Sequence, residues 1–262
     1  MTLEGRVAVV TGASKGMGSH FVDALVAAGA RVACLARASV ELDAVVARHG
    51  GMAAGFACDV GNAGAVDAAI AAAADRFGRI DLLVNNAAIF HPFLVEDATV
   101  HQVEQHVAVN LMGPIWCIRA AIPHLRKSQG QIVTISSESV RMPFPYLTVY
   151  AATKAAVEAL SQGLRDELRS DGIRVSVLRS GSVAGGTGGQ HWDGEVAQRF
   201  FAKIQETGHA SFTGDFAEPT TMALTLVAMV SLPPDVNLDL VEARSAKPAT
   251  PDSLSRSGAN RH

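Results

Sequence analysis

Two residues four positions apart offer acid–base chemistry. Tyr150 and Lys154 stand in the run Tyr150-Ala151-Ala152-Thr153-Lys154, and on a helix that spacing places a phenol and an ammonium on one face. A free phenol titrates near pKa ~10, too high for ready proton transfer at neutral pH. A fixed cation beside it favours the phenolate, at about 1.4 kcal/mol per pKa unit. Such pairs also arise by chance, so this one needs context from elsewhere in the chain.

A second constellation lies near the N-terminus. Val7-Ala8-Val9-Val10-Thr11 runs directly into Gly12-Ala13-Ser14-Lys15-Gly16-Met17-Gly18 and then into a helical stretch. Strand, glycine turn and helix start together make an anion site, because glycine permits close backbone approach and the helix dipole presents free N–H groups. The spacing is G-x-x-x-G-x-G, not the G-x-G-x-x-G of the general dinucleotide fingerprint. Gly12, Ser14, Lys15, Gly16, Met17 and Gly18 are therefore candidate cofactor contacts. A second strand in such a fold ends at the adenosine ribose, where an acid suits a free 2′-hydroxyl and a base suits a 2′-phosphate. Here stand Ala36 and Arg37, with no carboxylate before Glu41 and with Lys15 as a second cation. That pattern favours NADP(H) over NAD(H). Asp59, after a third strand, is placed to bind the adenine amino group, with Val60 beside it.

The elements that must hold these residues are legible in the hydrophobic pattern. Arg6–Thr11, Arg31–Ala36, Met52–Cys58, Asp81–Asn85, Gln131–Ser136 and Ile173–Arg179 read as short strands, apolar nearly throughout and so covered on both faces. Between them lie helical stretches at Gly16–Ala28, Val40–His49, Ala63–Phe77, Ala98–Lys127 (one helix or two) and Thr148–Ser170. Asn62 is a natural N-cap, and Gly29, Gly50 and Gly172 lie where helices should stop. The alternation predicts an α/β domain with a doubly wound parallel sheet. After Ser180 the pattern breaks: Gly181–Asp215 reads as a partly helical excursion, before a helix at Glu218–Ser231 and a last strand at Val236–Arg244. The reading is one domain over 1–244 with a disordered tail over 245–262.

Composition narrows the classes further. The chain has 262 residues, a net charge of -3, 48% hydrophobic residues and 18% charged ones. A mean hydropathy of +0.21 argues against disorder, and a pI of about 6.3 argues against a nucleic-acid partner. The longest apolar stretches, Ala68–Ala74 and Met222–Leu232, fall short of the ~20 residues a spanning helix needs, so no membrane partner is expected. No apolar signal region precedes the first strand. Cys34, Cys58 and Cys117 have no metal-ligand spacing and make no disulfide framework, which fits reduced thiols in a cytoplasmic protein and no metal site.

With Thr11–Gly18, Asn85-Asn86-Ala87-Ala88 and Tyr150–Lys154 in order, the chain resembles the short-chain dehydrogenase/reductase family, of the NADP(H)-preferring type, over roughly Leu3–Arg244. The resemblance implies a Rossmann-like fold and a catalytic set of Asn110, Ser137, Tyr150 and Lys154. The family's Ser lies thirteen residues before its Tyr, which selects Ser137 over Ser136 and Ser139. It also implies cofactor contacts from Asn86, Ala87, Ala88, Gly181, Ser182 and Val183. Tyr150 would exchange a proton with a carbonyl or alcohol oxygen that Ser137 positions. Lys154 would lower the phenol pKa and hold the nicotinamide ribose, and Asn110 would hold a water relaying protons. The implied protein is an oxidoreductase acting on a small carbonyl or secondary alcohol, assembled as a homotetramer or dimer. A dehydratase or epimerase on the same scaffold, and a non-catalytic NADP(H)-binding regulator, are the alternatives.

Departures from the family's pattern are few. Ala88 replaces a Gly, Ser180-Gly181 replaces Pro-Gly, and Gly185 stands where a Thr is common, with Thr187 close by. Glu138 follows Ser137 where a small apolar residue is usual. It is read either as an exposed loop charge or as a group facing a polar substrate. The substrate wall is expected from Ile89–Phe93, Glu138–Leu147 and Gly181–Phe216, contributing Phe90, Phe93, Met142, Phe144, Trp192, Phe200 and Phe201. His91 and Arg141 join Glu138 as polar candidates. An apolar, ring-containing substrate follows.

Overall fold

Seven of the apolar runs form strands: β1 (Val7–Thr11), β2 (Arg31–Ala36), β3 (Ala53–Ala57), β4 (Leu82–Asn85), β5 (Gln131–Ser137), β6 (Arg174–Ser180) and β7 (Leu240–Ala243). The computed structural model describes residues 2–185, 192–209 and 214–248. The strands pair in the order β3-β2-β1-β4-β5-β6-β7, and every pairing is parallel. Chain order therefore reverses between β1 and β4, and in such sheets ligands sit at that switch point, outside the strand C-termini.

Burial follows the two-sided cover that the sequence pattern implies. Val7–Thr11 is buried at every position, whereas β3 and β7, at the sheet edges, are only partly covered. One face is closed by α1 (Gly16–Ala27), α2 (Val40–His49) and α8 (Pro219–Val230), whose Phe21, Leu42 and Leu226 join one core with Ala8 and Val10. The other face is closed by α3 (Ala63–Phe77), α5 (Gly113–Ser128) and α6 (Thr148–Glu167), whose Ile70, Ile118 and Leu164 meet Val7 and Val9. Successive side chains of β1 thus feed opposite cores, as the pleat requires.

Asn62 caps α3 by accepting from the Ala65 N–H at 3.0 Å. Gly50 and Gly172 end their segments at positive φ, and Gly29 follows α1 at φ 95°.

Of the one helix or two that the sequence allows over Ala98–Lys127, the chain makes two. These are α4 (Val100–Val107) and α5, joined by a single π turn over Ala108–Met112. The capping box of Thr99 with Gln102 delays the start to Val100. The last strand is shorter than Val236–Arg244, because Asn237 takes the place of ladder bonds. Its Nδ2 donates to the Val175 carbonyl at 3.0 Å and its Oδ1 accepts from the Ser176 hydroxyl at 3.1 Å. On α6, Ala151 is buried while Ala155 and Ala159 are exposed.

The expected excursion after Ser180 carries one helix, α7 (Gly194–Glu206), capped by the Asp193 carboxylate. Its base is closed where Val183 bridges Ala217. Thr187 and Phe212 lie outside the described residues, as do residues 249–262 of the expected tail. Before them, Asp215 N–H donates to the Lys247 carbonyl at 3.0 Å.

Candidate active site

The glycine loop is shaped by backbone conformations that other residues resist. Gly12 and Gly16 have φ of 63° and 56°, in the left-handed region that costs an L-residue about 1–2 kcal/mol. At Gly18 the constraint is space: a Cβ there would lie 2.0 Å from the Gly12 carbonyl oxygen. The N-cap of α1 is Lys15, which makes no side-chain cap bond. The first-turn N–H groups of α1 therefore lack the side-chain acceptor that usually covers one of them, as an anion-binding turn requires. Lys15 is exposed beside this turn.

Asn86 and Thr11 lock the loop to the sheet. The Thr11 hydroxyl accepts from the N–H groups of Asn86 and Ala87, both at 3.0 Å. The Asn86 Nδ2 donates back to the carbonyls of Thr11 and Gly12 at 2.9 and 3.3 Å. Ala87 and the exposed Ala88 follow at the mouth of β4. Thr11 stood inside the motif with no role of its own, since its partners lie 75 residues away.

At the end of β2, Ala36 is buried and Arg37 exposed. Lys15 lies close enough to Glu41, in the first turn of α2, to hold its carboxyl below the usual range. That effect adds to a larger one from the Ser39 hydroxyl. Neither Lys15 nor Arg37 forms a salt bridge with a described residue. Asp59 is exposed and accepts from the Gly61 N–H at 2.9 Å. The Val60 side chain is buried against Gly113, which leaves its backbone to face the site. The residues present fit a dinucleotide: a glycine cradle, uncapped amides and two cations at the ribose end.

Tyr150 and Lys154 lie on the first two turns of α6, the first partly buried and the second buried. Tyr150 shares a hydrogen bond with the Ser137 side chain at the end of β5, yet burial dominates and pushes the phenol up to about 12; the nearby Glu138 carboxylate adds to that rise. Lys154 is 4% exposed, donates to the Ile135 carbonyl at 2.8 Å and is brought down to about 8 by burial. Its Nζ lies 5.8 Å from the Tyr150 ring centroid. The expected lowering of the phenol by Lys154 is therefore not what this geometry gives. Desolvation disfavours both charged forms and is the largest influence on each. The Ser137 Oγ also accepts from the Ser139 N–H at 3.2 Å.

Asn110 sits in the π turn, 1% exposed. Its Oδ1 accepts from the Ile89 N–H and its Nδ2 donates to the Ile89 carbonyl, both at 2.8 Å. Nδ2 also donates to the Thr153 Oγ1 at 3.2 Å, and that hydroxyl donates to the Tyr150 carbonyl at 2.7 Å. Thr153 was not singled out from the sequence, although it lies between Tyr150 and Lys154. One of its partners, Asn110, belongs to another element.

The substrate side is aromatic. Phe90 packs 5.8 Å from Tyr150 and edge-on to Trp192 at 5.7 Å, and Trp192 meets Phe200 at 5.2 Å and Phe201 at 6.3 Å. The Trp192 indole N–H donates to the Phe90 carbonyl at 3.1 Å. Phe144 and Leu147 complete the cluster. Phe93 stands apart from it, packed edge-on at 5.2 Å against the buried His106. The polar candidates also turn elsewhere. Arg141 pairs with Glu242 at 3.0 Å, and the His91 ring lies edge-on to His106, 6.0 Å between centroids. Glu138 is neither an exposed charge nor a substrate-facing one. It is 3% exposed, and its Oε1 accepts from the Ser182 hydroxyl at 3.2 Å. Gly181, Ser182 and Val183 follow β6 at the same edge of the sheet.

Among the described residues no cluster of His, Cys, Asp or Glu could hold a metal ion, and no helix is long and apolar enough to cross a membrane.

The model of the short chain dehydrogenase family matches residues 6–195. A sorbitol dehydrogenase from Cereibacter sphaeroides is 35% identical over 203 residues, 76% of this chain and 77% of that protein. The fold is similar to that of a metagenomic short-chain oxidoreductase in complex with NADP, at 27% identity and a TM-score of 0.77, over 94% of this chain and 99% of that one. It is also similar to a 3-ketoacyl-(acyl-carrier-protein) reductase from Brucella melitensis complexed with NADH. There the identity is 27% and the TM-score 0.82, over the same shares of the two chains.

Proposed function

Since this chain belongs to the short-chain dehydrogenase family, we propose that it is an NADP(H)-dependent oxidoreductase that interconverts a carbonyl and a secondary alcohol. The observation that carries this reading is the meeting of Ser137, Tyr150 and Lys154 at the strand C-termini, beside the glycine loop.

Gly12, Ser14, Lys15, Gly16, Met17 and Gly18 would hold the pyrophosphate side of the cofactor, and Ala36 and Arg37 its ribose. Asp59 and Val60 would meet the adenine; Asn86, Ala87 and Ala88 would line the groove. Tyr150, Lys154, Gly181, Ser182 and Val183 would hold the nicotinamide end. The nicotinamide, when bound, supplies or accepts the hydride. A phenol pushed up to about 12 keeps its proton at neutral pH, the state needed to donate to a carbonyl oxygen. Ser137 would orient that oxygen through its hydroxyl. Lys154 would place a cation behind the phenol as its charge develops, and Asn110 holds the α4–α5 turn against Ile89 and Thr153.

Two cations and no carboxylate at the end of β2 support the 2′-phosphate, and one similar fold carries NADP while another carries NADH. For the substrate, the Phe90–Trp192–Phe200 cluster supports an apolar, ring-containing carbonyl. A polyol is the second reading, favoured by the sorbitol dehydrogenase likeness. The buried free thiols Cys34, Cys58 and Cys117 support a cytoplasmic location. Exposed Ala155 and Ala159 on α6 would let a second copy approach closely, as a homotetramer or dimer requires.

The test is a panel of cyclic and aromatic ketones, polyols and β-hydroxy compounds, followed by NADPH absorbance in both directions. Turnover of a ketone or alcohol that Tyr150→Phe abolishes supports the proposal. Turnover surviving that change overturns the assigned acid, and elimination without net hydride transfer overturns the reaction class.

A further inference from the structure

Three neighbouring strands end level with one another. Ser137 of β5 pairs with Ser180 of β6, and Ser180 with Ala243 of β7. The next residues, Glu138, Gly181 and Arg244, form a row across the C-terminal edge of the sheet. A Cβ on Gly181 would lie 2.5 Å from the Arg244 Cβ and 3.3 Å from the Glu138 Oε2, so the row admits no side chain at its centre. The Gly181 N–H is held by the Ala243 carbonyl at 2.8 Å.

Glu138 is an expensive residue to place there. A buried carboxyl costs free energy unless bonds satisfy it, and an apolar side chain would fill the position more cheaply. One oxygen, Oε1, accepts from the Ser182 hydroxyl at 3.2 Å, and the Ser182 main-chain N–H also serves the carboxylate. The other, Oε2, is buried without a hydrogen-bond partner among the described residues. The charged groups around it are mixed. The Arg244 guanidinium attracts the carboxylate, the Glu242 carboxylate repels it, and Tyr150 of α6 faces it from the other side. Glu242 is itself paired with Arg141 at 3.0 Å and with Arg179 at 2.9 Å.

The segment that Glu138 reaches has limited stiffness of its own. Position 180 is a serine, without the fixed φ that a proline would impose, and Gly181 follows it. Downstream the segment is pinned at Ala217, whose N–H donates to the Ser182 carbonyl at 2.9 Å. Across to the Ser137 segment, the Glu138–Ser182 bond is the side-chain tie.

We propose that Glu138 is a positioning residue: through Ser182 it fixes the Gly181–Val183 backbone against the Ser137–Tyr150 pair, and so sets the nicotinamide half of the cofactor site without touching cofactor or substrate. This rests on the function proposed above.

The experiment measures dissociation constants by fluorescence for NADPH and NADH, and for the adenosine half of the tighter one alone (2′,5′-ADP or ADP). Glu138→Gln keeps an acceptor for Ser182 and should bind the whole cofactor within about twofold of wild type. Glu138→Ala should weaken the whole cofactor about tenfold, the worth of one hydrogen bond to an ionisable group, and leave the adenosine half unchanged. The KM for cofactor should rise with it. Ser182→Ala removes the other end of the same bond and should give the same split, which keeps the test open if Glu138→Ala does not fold. Unchanged cofactor binding in both alanine variants overturns the proposal. So does equal weakening of cofactor and adenosine half, which marks a general loss of structure. A wild-type protein that binds neither dinucleotide overturns the proposed function along with it, whereas wild-type binding with unaffected variants overturns this inference alone.

Discussion

Asn110 and Ile89 exchange both of their hydrogen bonds: the side-chain amide of one serves the N–H and the carbonyl of the other, each at 2.8 Å. Leaving those two main-chain groups unpaired costs about 1–3 kcal/mol each. Asn110→Ala should therefore destabilise the protein by about 2 kcal/mol or more in urea titration, and raise the substrate KM as the Ile89–Phe93 segment loosens. Asn110→Asp keeps the acceptor but turns a buried carboxyl oxygen on the Ile89 carbonyl, so its deficit should be at least as large.

Burial of Lys154 has a stability consequence with a defined sign. Its folded pKa of about 8 lies below the 10.5 of an ordinary lysine. The folded state thus binds protons less readily, its charge penalty is full below pH 8, and stability rises as pH passes from 8 to 10.5. Lys154→Met should stabilise the fold at pH 7, by on the order of 2–3 kcal/mol at most, and so raise the melting temperature while removing activity. Calorimetry beside an activity assay reads both.

Glu138 carries the opposite proton balance. Its folded pKa of about 7 exceeds the 4.5 of an ordinary glutamate, with burial the main cause. The folded state here binds the proton more tightly, so stability is highest below pH 4.5 as far as this group is concerned, and declines as pH rises to 7. Glu138→Gln should flatten that decline, by about 3 kcal/mol over the window. Denaturant midpoints at pH 5 and pH 8 measure the difference; equal slopes in wild type and variant count against it.

At the ribose end, Arg37→Asp replaces a cation by a carboxylate. NADPH affinity should drop at least tenfold, given that a hydrogen bond to a charged group is worth ~1.5–3 kcal/mol, and NADH affinity should hold or improve. Titration with both cofactors decides it, and equal losses would remove the 2′-phosphate assignment.

Gly18→Ala tests the loop itself. Its new Cβ would lie 2.0 Å from the Gly12 oxygen, and both atoms belong to main chain that cannot swing away. The variant should lose dinucleotide binding and melt earlier, by roughly 1–3 kcal/mol, as other overpacked sites do.

Much of this fold is legible in the residues themselves. Val7–Thr11, Arg31–Ala36 and Gln131–Ser136 are runs whose composition permits little but a strand covered on both sides. Asn62 and the capping glycines act on neighbours within a turn or two. The same locality exposes the glycine loop and the Tyr150–Lys154 pair, since a four-residue spacing fixes a shared helical face whatever the surroundings. Local signals failed where bonds between distant segments decided the outcome. The π turn that sets Asn110 is held by Ile89, twenty-one residues before it, and Asn237 shortens the last strand by bonding across to Val175.

The amino-acid sequence by itself thus determined the sheet-and-helix order, the anion-binding loop and the reactive pair, all properties of short stretches of chain. Only the tertiary structure decided the charge state of that pair, because desolvation depends on what encloses a group. It buried Lys154 and partly covered Tyr150, so the phenol rises where the spacing alone suggested it would fall. It also turned Glu138 inward to Ser182, forty-four residues away, through a register between strands that no single segment contains.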